Sequence, residues 1–459
     1  MTTTTLVLHP DVVAELRGMT RQPVETAAVL LARPAWLADG GLRLLGVELH
    51  PAAEQAYRHR DDRSLVVGSE GYMPALKDAE THRCVPIWVH THPGEAASPR
   101  PSPHDRRVDE QLMPVFTTRS ESGLYGSLIT SMRAGQLSFT GRLEGTTTTN
   151  IDRIVIPADR FEVLRADDVR YPPLPSLHDR HVRAFGPDIP RVLGDLRVAL
   201  IGCGGTGSAV AEQLVRLGVR NFVLVDPDKL CDTNTTRVYG STLRDVDRFK
   251  VEVLGNHLRD IAPDAVVECI EGSVCQREIA ERIVGADVVF GCTDDEAGRM
   301  RLSRFAYAYL TLVIDCGVKI SSDGAGRVDD ITGRVTILDS RSACLLCRGR
   351  VRPEVAAAEE MSPEEYQRRR RDGYVPDLGG TEPAVVAFTT AVAAAAVNEL
   401  LERLVGYGVE SRPSEILLRI HDRAISTNHQ HPTPDCYCGT RTPSNFGDTA
   451  RYWGLGWAS

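Results

Sequence analysis

The strongest constraint on the fold is the alternation of short apolar runs with amphipathic stretches from Leu193 onward. Arg197-Val-Ala-Leu-Ile201 reads as a buried strand running into Gly202-Cys-Gly204-Gly205-Thr-Gly207, with a helix over Ser208–Leu217 behind it. Asn221-Phe-Val-Leu-Val225 is a second strand ending in Asp226. Ala286-Asp-Val-Val-Phe290 and Leu310-Thr-Leu-Val-Ile-Asp315 are further strands, with helices between. Such alternation predicts a mostly parallel, doubly wound α/β sheet. Glycines let a backbone approach a phosphate, and the following helix N-terminus favours the anion. Asp226, 19 residues beyond Gly207, is placed to accept from ribose hydroxyls. On these residues alone a dinucleotide fits as well as ATP.

The residues that follow are less ambiguous. Asp226-Pro-Asp228 leads into Asp232-Thr-Asn234-Thr-Thr-Arg237, then Lys250, then Asp294 at a strand end; Arg180 and Arg183 stand upstream in His178–Gly186. From about 176 to 440 this series resembles the ThiF/MoeB/E1 superfamily, which implies a Rossmann-like adenylyltransferase. Attack of a carboxylate on the α-phosphate of ATP brings anions together, so cations are needed there. By the resemblance, Gly202, Gly204, Gly205, Gly207 and Asp226 hold ATP. Arg237 and Lys250 contact phosphates, Asn234 helps position them, and Asp294 holds Mg2+. Arg180 would reach the site of a partner subunit, since the family is usually dimeric; a homodimer through this domain is expected.

Cys344-Leu-Leu-Cys347 and Cys436-Tyr-Cys438 read as a structural zinc site with four thiolates. The second pair is one residue shorter than the family's usual spacing, and His431 is an alternative ligand. Between Cys347 and Cys436 there is no cysteine. Family members that form a thioester carry their nucleophile there, so adenylation is expected without a thioester at the usual place. Cys231 and Cys316, near strand ends around the nucleotide site, are expected to be packing residues.

The first third of the chain carries a different pattern. Val85-Pro-Ile-Trp-Val-His90-Thr-His92-Pro93 is an apolar strand with two histidines at i and i+2, on one face. Ser102-Pro103-His104-Asp105 opens a helix and adds a carboxylate. Two imidazoles and one carboxylate, with a fourth position open to water, suit a catalytic zinc. Glu25 lies in the apolar segment Val24–Leu31, where a lone carboxylate is costly without a partner. In this order the residues resemble the JAMM (MPN+) signature Glu…His-x-His-Pro…Ser-x-x-Asp over roughly 5–145. The resemblance implies His90, His92 and Asp105 as zinc ligands, Glu25 as general base and Ser102 as oxyanion helper. Nine residues separate His92 from Ser102, where the family usually has seven.

These readings divide the 459 residues into an N-terminal α/β metallopeptidase domain of cytidine-deaminase-like fold (1–148), a linker (149–175), the ThiF/E1-like domain (176–441) and a tail (442–459). The resemblances imply hydrolysis after the terminal glycine of a ubiquitin-like protein, and adenylation of that carboxylate, as in bacterial modifier or sulfur-carrier systems. The carrier is expected in trans, since the chain ends in Trp-Gly-Leu-Gly-Trp-Ala-Ser. An E2-like or sulfurtransferase partner would follow. Alternatives are activation of a sulfur carrier for a biosynthetic pathway, a non-catalytic scaffold, and an NAD-dependent oxidoreductase. Net charge is −9, which argues against a nucleic-acid surface. The N-terminus shows no signal-peptide pattern, and Ala384–Leu401 reads as a buried helix, not a membrane span. The cytoplasm is expected, with eleven cysteines as thiols or metal ligands.

Overall fold

The computed structural model describes residues 4–96, 98–166, 174–323, 325–376, 378, 383–408, 412–440 and 442–447. They fall into two compact units, one from residues up to 166 joined by 442–447, the other from 174–440.

In the first unit the strand order is Thr4–Leu8, Leu42–Pro51, Ala27–Trp36, Val85–Glu95, Tyr125–Arg133, Gln136–Glu144, Thr149–Pro157, Phe161–Arg165. Thr4–Leu8 also pairs in parallel with Thr149–Pro157, so seven strands close a ring. One apolar cluster draws on all seven, including Leu6, Leu30, Ile87, Leu128, Phe139 and Ile154, and takes Val12, Val13 and Leu16 from helix Pro10–Thr20. Alternate residues face the other way. Ala27, Val29, Leu31 and Trp88 pack with helices Met73–Thr81 and Pro103–Thr118. Strands covered on both faces read as continuous apolar runs, which is why Ala27–Ala32 shows no polar alternation.

Two expected boundaries are corrected. Residues 149–165, read as linker, are mostly strand. Their apolar residues Ile151, Ile154, Val155 and Ile156 are buried, and Thr4 N–H bonds Asp152 Oδ2 at 3.0 Å across 148 residues. That partner is remote in sequence, so no local pattern announced it. Of the remaining linker, 167–173 lie outside the described residues. The start of the tail belongs to the first unit: Phe446 is buried, and its carbonyl accepts from Arg33 Nε at 2.9 Å. Residues 448–459, with Trp453 and Trp457, lie outside the described residues.

The second unit is an α/β, Rossmann-like fold. Its sheet order is Val266–Glu271, Asn221–Asp226, Arg197–Ile201, Val288–Gly291, Leu312–Ser322, Val328–Leu338, Glu415–Arg419, Ala424–Asn428. The first five are mutually parallel; the last three add antiparallel. Chain order runs outward in both directions from Arg197–Ile201, so the switch point lies between that strand and Val288–Gly291. The apolar stretch near 384–401 is the helix Val386–Val405, and among the described residues no helix is long and apolar enough to cross a membrane.

Phe116 is fully buried, edge-on to Trp88 and Tyr125. Phe116→Ala is expected to cost about 3–5 kcal/mol through the lost ring and the cavity left behind. Denaturant unfolding followed by Trp fluorescence measures this; a loss under about 1 kcal/mol would contradict the packing described.

Candidate functional site

In the first unit, His90 pairs with Ala27 on one side and Ile129 on the other, deep in the sheet. His92, two residues on, points the same way, and the two rings are 5.2 Å apart. Facing them is the first turn of helix Pro103–Thr118. Ser102 caps it: its Oγ accepts from Asp105 N–H at 3.1 Å, and Asp105 Oδ2 accepts from Ser102 N–H at 2.6 Å. The capping box thus aims Asp105 at the histidines, 3.5 Å from His90 Nε2 and 3.5 Å from His92 Nε2. Ligands about 2.0–2.1 Å from a tetrahedral zinc stand about 3.4 Å apart, so the triangle fits that ion. Both ring nitrogens of His90 are buried without a hydrogen-bond partner. Such orphaned groups are costly in the protein alone, and coordination would satisfy one of them.

Glu25 lies just ahead of strand Ala27–Trp36 instead of within it. It is buried, its N–H bonds Asp61 O at 2.7 Å, and its Oε1 is 4.0 Å from His92 Nε2. Its Oε2 has no hydrogen-bond partner. Burial raises its pKa above the ordinary value, although His90 and His92 oppose this. For Asp105 burial pulls the same way, but the two imidazoles and Ser102 N–H win and hold it well below the usual carboxylate range. Ser102 Oγ accepts with a lone pair and keeps its O–H to donate.

In the second unit a cavity of about 370 Å³ opens at the carboxyl ends of the parallel strands. Residues at the N-termini of four helices border it: Gly204 and Gly205 before Gly205–Leu217, Lys250 opening Lys250–Ile261, Asp295 capping Glu296–Ala308, and Thr389 in Val386–Val405. Three of these helices have no side-chain cap; in the second, Lys250 N–H is already bonded to Asp228 O at 3.0 Å, so the glycine-turn helix is the one whose first N–H groups best suit an anion. Arg237, Lys250 and Arg299 add cations; Asp226, Asp228 and Asp294 add carboxylates.

Asp226 is buried and accepts from Cys203 N–H at 2.7 Å and Asp228 N–H at 2.8 Å. Burial raises its pKa, with Lys250 and these N–H groups opposing. Lys250 Nζ is 2.7 Å from Asp228 and 3.8 Å from Asp226. Burial alone would lower the lysine's pKa, yet Asp226, Asp228 and Asp294 hold it above its ordinary value. The ammonium is therefore charged, and it borders the cavity.

The glycines divide by task. Gly202 has φ +93°, and a Cβ there would meet Cys292 O at 2.6 Å. Gly207 does not border the cavity; a Cβ there would stand 1.9 Å from Gly202 O, so it sets how closely helix and strand pack. Asn234 also lies outside the lining. Its Oδ1 accepts from Cys231 N–H at 3.3 Å and its carbonyl from Arg237 N–H at 3.0 Å, so it shapes the turn that carries Arg237. Arg180 is exposed on helix Asp179–Phe185 and is not among the lining residues.

Arg299, Thr389 and Cys292 border the cavity and were not anticipated there; Cys316, expected near the nucleotide site as a packing residue, borders it, whereas Cys231 does not. Arg299 follows the N-cap Asp295 by four residues, a helical spacing that could have marked it once the helix at Glu296 was placed. Thr389 arrives from a helix remote in sequence and carried no signal.

The four cysteines meet as expected. Cys344 and Cys436 Sγ are 3.6 Å apart, Cys347 and Cys438 Sγ 3.7 Å apart. A zinc tetrahedron with bonds of about 2.3 Å has sulfur edges of about 3.8 Å, whereas a disulfide needs about 2.05 Å. The Cys344 thiol, hydrogen-bonded by Cys438, drops to about 5, and burial pushes Cys436 up to about 11. Between the second pair, Tyr437 OH meets Ser303 Oγ at 2.9 Å, tying the cluster to helix Glu296–Ala308. The residues fit a structural zinc; His431 is exposed and not in the four-residue group.

Cys347→Ser is expected to lower bound zinc by one equivalent and to reduce Tm by several degrees, because removing a structural ligand uncouples metal binding from folding. Elemental analysis and thermal unfolding of the purified chain check both; unchanged zinc content would exclude the site.

The family model for ThiF matches residues 178–439, more than half of the chain and wholly within the second unit. The tRNA threonylcarbamoyladenosine dehydratase of Escherichia coli is 31% identical over 113 residues, 24% of this chain and 42% of that protein. The E. coli sulfur carrier protein ThiS adenylyltransferase is 32% identical over 120 residues, 26% of this chain and 48% of its own. The chain thus spans less than half the length of either. A crystal structure of E. coli MccB with AMPCPP and MccA is similar at a TM-score of 0.46 and 17% identity, covering 59% of this chain and 75% of MccB. The ThiF family match over more than half of the chain shows that the chain belongs to the ThiF family.

Proposed function

We propose that the second unit adenylates the C-terminal carboxylate of a small ubiquitin-like or sulfur-carrier protein supplied in trans. The observation that carries this reading is the cavity where uncapped helix N-termini meet Lys250, Arg237 and Asp294. One relative, the ThiS adenylyltransferase of E. coli, is named for adenylylating a sulfur carrier. In this reading the incoming carboxylate attacks the α-phosphate of ATP, forming the acyl-phosphate bond and releasing pyrophosphate. Lys250 and Arg237 offset the negative charge gathered there, and Asp294 would hold the Mg2+ that neutralises the leaving pyrophosphate. Asp226 orients the ribose. Without a cysteine between Cys347 and Cys436, the adenylate passes directly to another nucleophile. Arg180 completes the site of a partner copy in a homodimer.

The first unit we read as a JAMM-type metallopeptidase acting on the same C-terminus. His90, His92 and Asp105 would hold zinc, which supplies Lewis-acid polarisation of the scissile carbonyl and acidification of water. The chain's own residues do the rest. Glu25, buried with a free Oε2, takes a proton from the attacking water and returns it to the leaving amine. Ser102 donates its O–H to the developing oxyanion. Hydrolysis after a terminal glycine releases the carboxylate that adenylation consumes.

Two measurements test this. In ATP–pyrophosphate exchange with a Gly-Gly-terminated carrier, Lys250→Ala is expected to lose about 10²–10³-fold in rate; a change under threefold would contradict its role. In cleavage of the same carrier bearing a C-terminal extension, Glu25→Gln is expected to retain zinc but lose cleavage. Cleavage at the unaltered rate would remove Glu25 from the mechanism.

A further inference from the structure

Two cysteines border the nucleotide cavity side by side, and neither is used in the chemistry above. Strands Val288–Gly291 and Leu312–Ser322 run parallel with Gly291 opposite Asp315, so Cys292 and Cys316 follow as the next neighbours. Adjacent strands lie about 4.8 Å apart, and a disulfide spans Cα atoms about 4.4–6.8 Å apart. Both residues line the cavity. Cys292 is half-buried, whereas Cys316 is only 3% exposed.

We propose that Cys292 and Cys316 are a redox pair which a hydroperoxide converts to a disulfide, closing the nucleotide cavity to ATP. Cys292, the more accessible, gives up its thiol proton and its sulfur attacks one oxygen of hydrogen peroxide; the S–O bond forms, the O–O bond breaks, and the departing hydroxide takes that proton and leaves as the first water. Cys316 then gives up its proton and attacks the Cys292 sulfur. The S–S bond forms, the S–O bond breaks, and a second water leaves. Two thiols lose two electrons in all, and the peroxide gains them.

The surroundings support both the pairing and its consequence. Cys292 is the leading influence raising the Cys316 thiol above its ordinary pKa, so the two groups interact directly. Cys316, buried at the cavity wall, is shielded from oxidants in solution and placed to resolve an oxidised neighbour. Arg299 bridges the two segments, donating to Thr293 O at 3.3 Å and Cys316 O at 3.2 Å. The Cys292 carbonyl packs against Gly202, where even a Cβ would stand 2.6 Å away. Cys292 N–H is bonded to Ile201 O at 2.7 Å. The strands already stand at a disulfide's span, so the cross-link needs only the side chains to turn; it then places a rigid S–S bridge in the cavity wall, between the glycine turn packed on Cys292 and Asp294 two residues on. Cys344, Cys347, Cys436 and Cys438 form a separate group, suited to zinc.

The chemistry of the pair is independent of the activity proposed above; its consequence rests on that cavity binding ATP. The test uses the full-length, zinc-loaded chain. Hydrogen peroxide is added, peptides are mapped by mass spectrometry, and ATP affinity is measured by calorimetry before oxidation, after it, and after dithiothreitol. The expected result is a Cys292–Cys316 cross-link lighter by two hydrogens, an affinity at least tenfold weaker, and recovery on reduction. Cys316→Ser, compared with its own reduced form, is expected to lose the reversible response and to accumulate Cys292 sulfinate. The proposal is overturned if the thiols survive, if they pair elsewhere, or if the cross-link forms with affinity unchanged. A reduced chain that binds no ATP would overturn the nucleotide reading itself, and with it the consequence, while the cross-link map still reports on the pair.

Discussion

Every parallel strand of the second unit ends at the same edge, and this governs where its chemistry can be. A helix that follows a strand in such a sheet starts at that edge, so its unpaired N–H groups face outward there. The starts of Gly205–Leu217, Lys250–Ile261 and Glu296–Ala308 gather in this way around one cavity, the last of them capped by Asp295, and Val386–Val405 joins them from beyond the parallel strands. The positive potential comes from backbone geometry, before any side chain is chosen. Lys250, Arg237 and Arg299 strengthen it, while Asp226 and Asp228 keep Lys250 charged despite partial burial. Glycine is required where this convergence is tightest. At Gly202 and Gly207 a single methyl group would collide with backbone.

The first unit reaches a reactive cluster by another route. A strand covered on both faces must place i and i+2 side chains in one compartment, and here that compartment receives His90 and His92. The third group, Asp105, owes its direction to a helix cap. One reciprocal pair of hydrogen bonds with Ser102 both starts the helix and points the carboxylate at the imidazoles. Asp109, one turn later, accepts from Tyr125 OH at 2.6 Å and Arg142 Nη2 at 2.7 Å, which fastens that helix to the sheet. Glu25 is held from the opposite side by its backbone bond to Asp61. The cluster is thus assembled from a strand, a helix start and a strand approach, each fixed by main-chain hydrogen bonds.

Much of this was legible locally. The glycine turn, Lys250, Arg237 and Asp294 lie within or beside strand–helix junctions, and the structure brings them to one cavity. The same holds for His90, His92 and Asp105, and for the four cysteines. Asn234 and Gly207 were legible as motif positions but not in their tasks: both shape the backbone instead of lining the cavity. Arg299 and Thr389 were missed because each depends on a helix whose end had to be placed first.

The sequence by itself determined the identity of the chemical groups and the local elements that carry them, because periodicity, glycine spacing and helix caps act over a few residues. Tertiary structure alone decided what is remote. It closed the first sheet by pairing Thr4–Leu8 with Thr149–Pro157, turning an expected linker into strand. It returned Phe446 to that same unit. It set Cys292 beside Cys316 across two parallel strands, a neighbourhood fixed by strand register and invisible to any pattern along the chain.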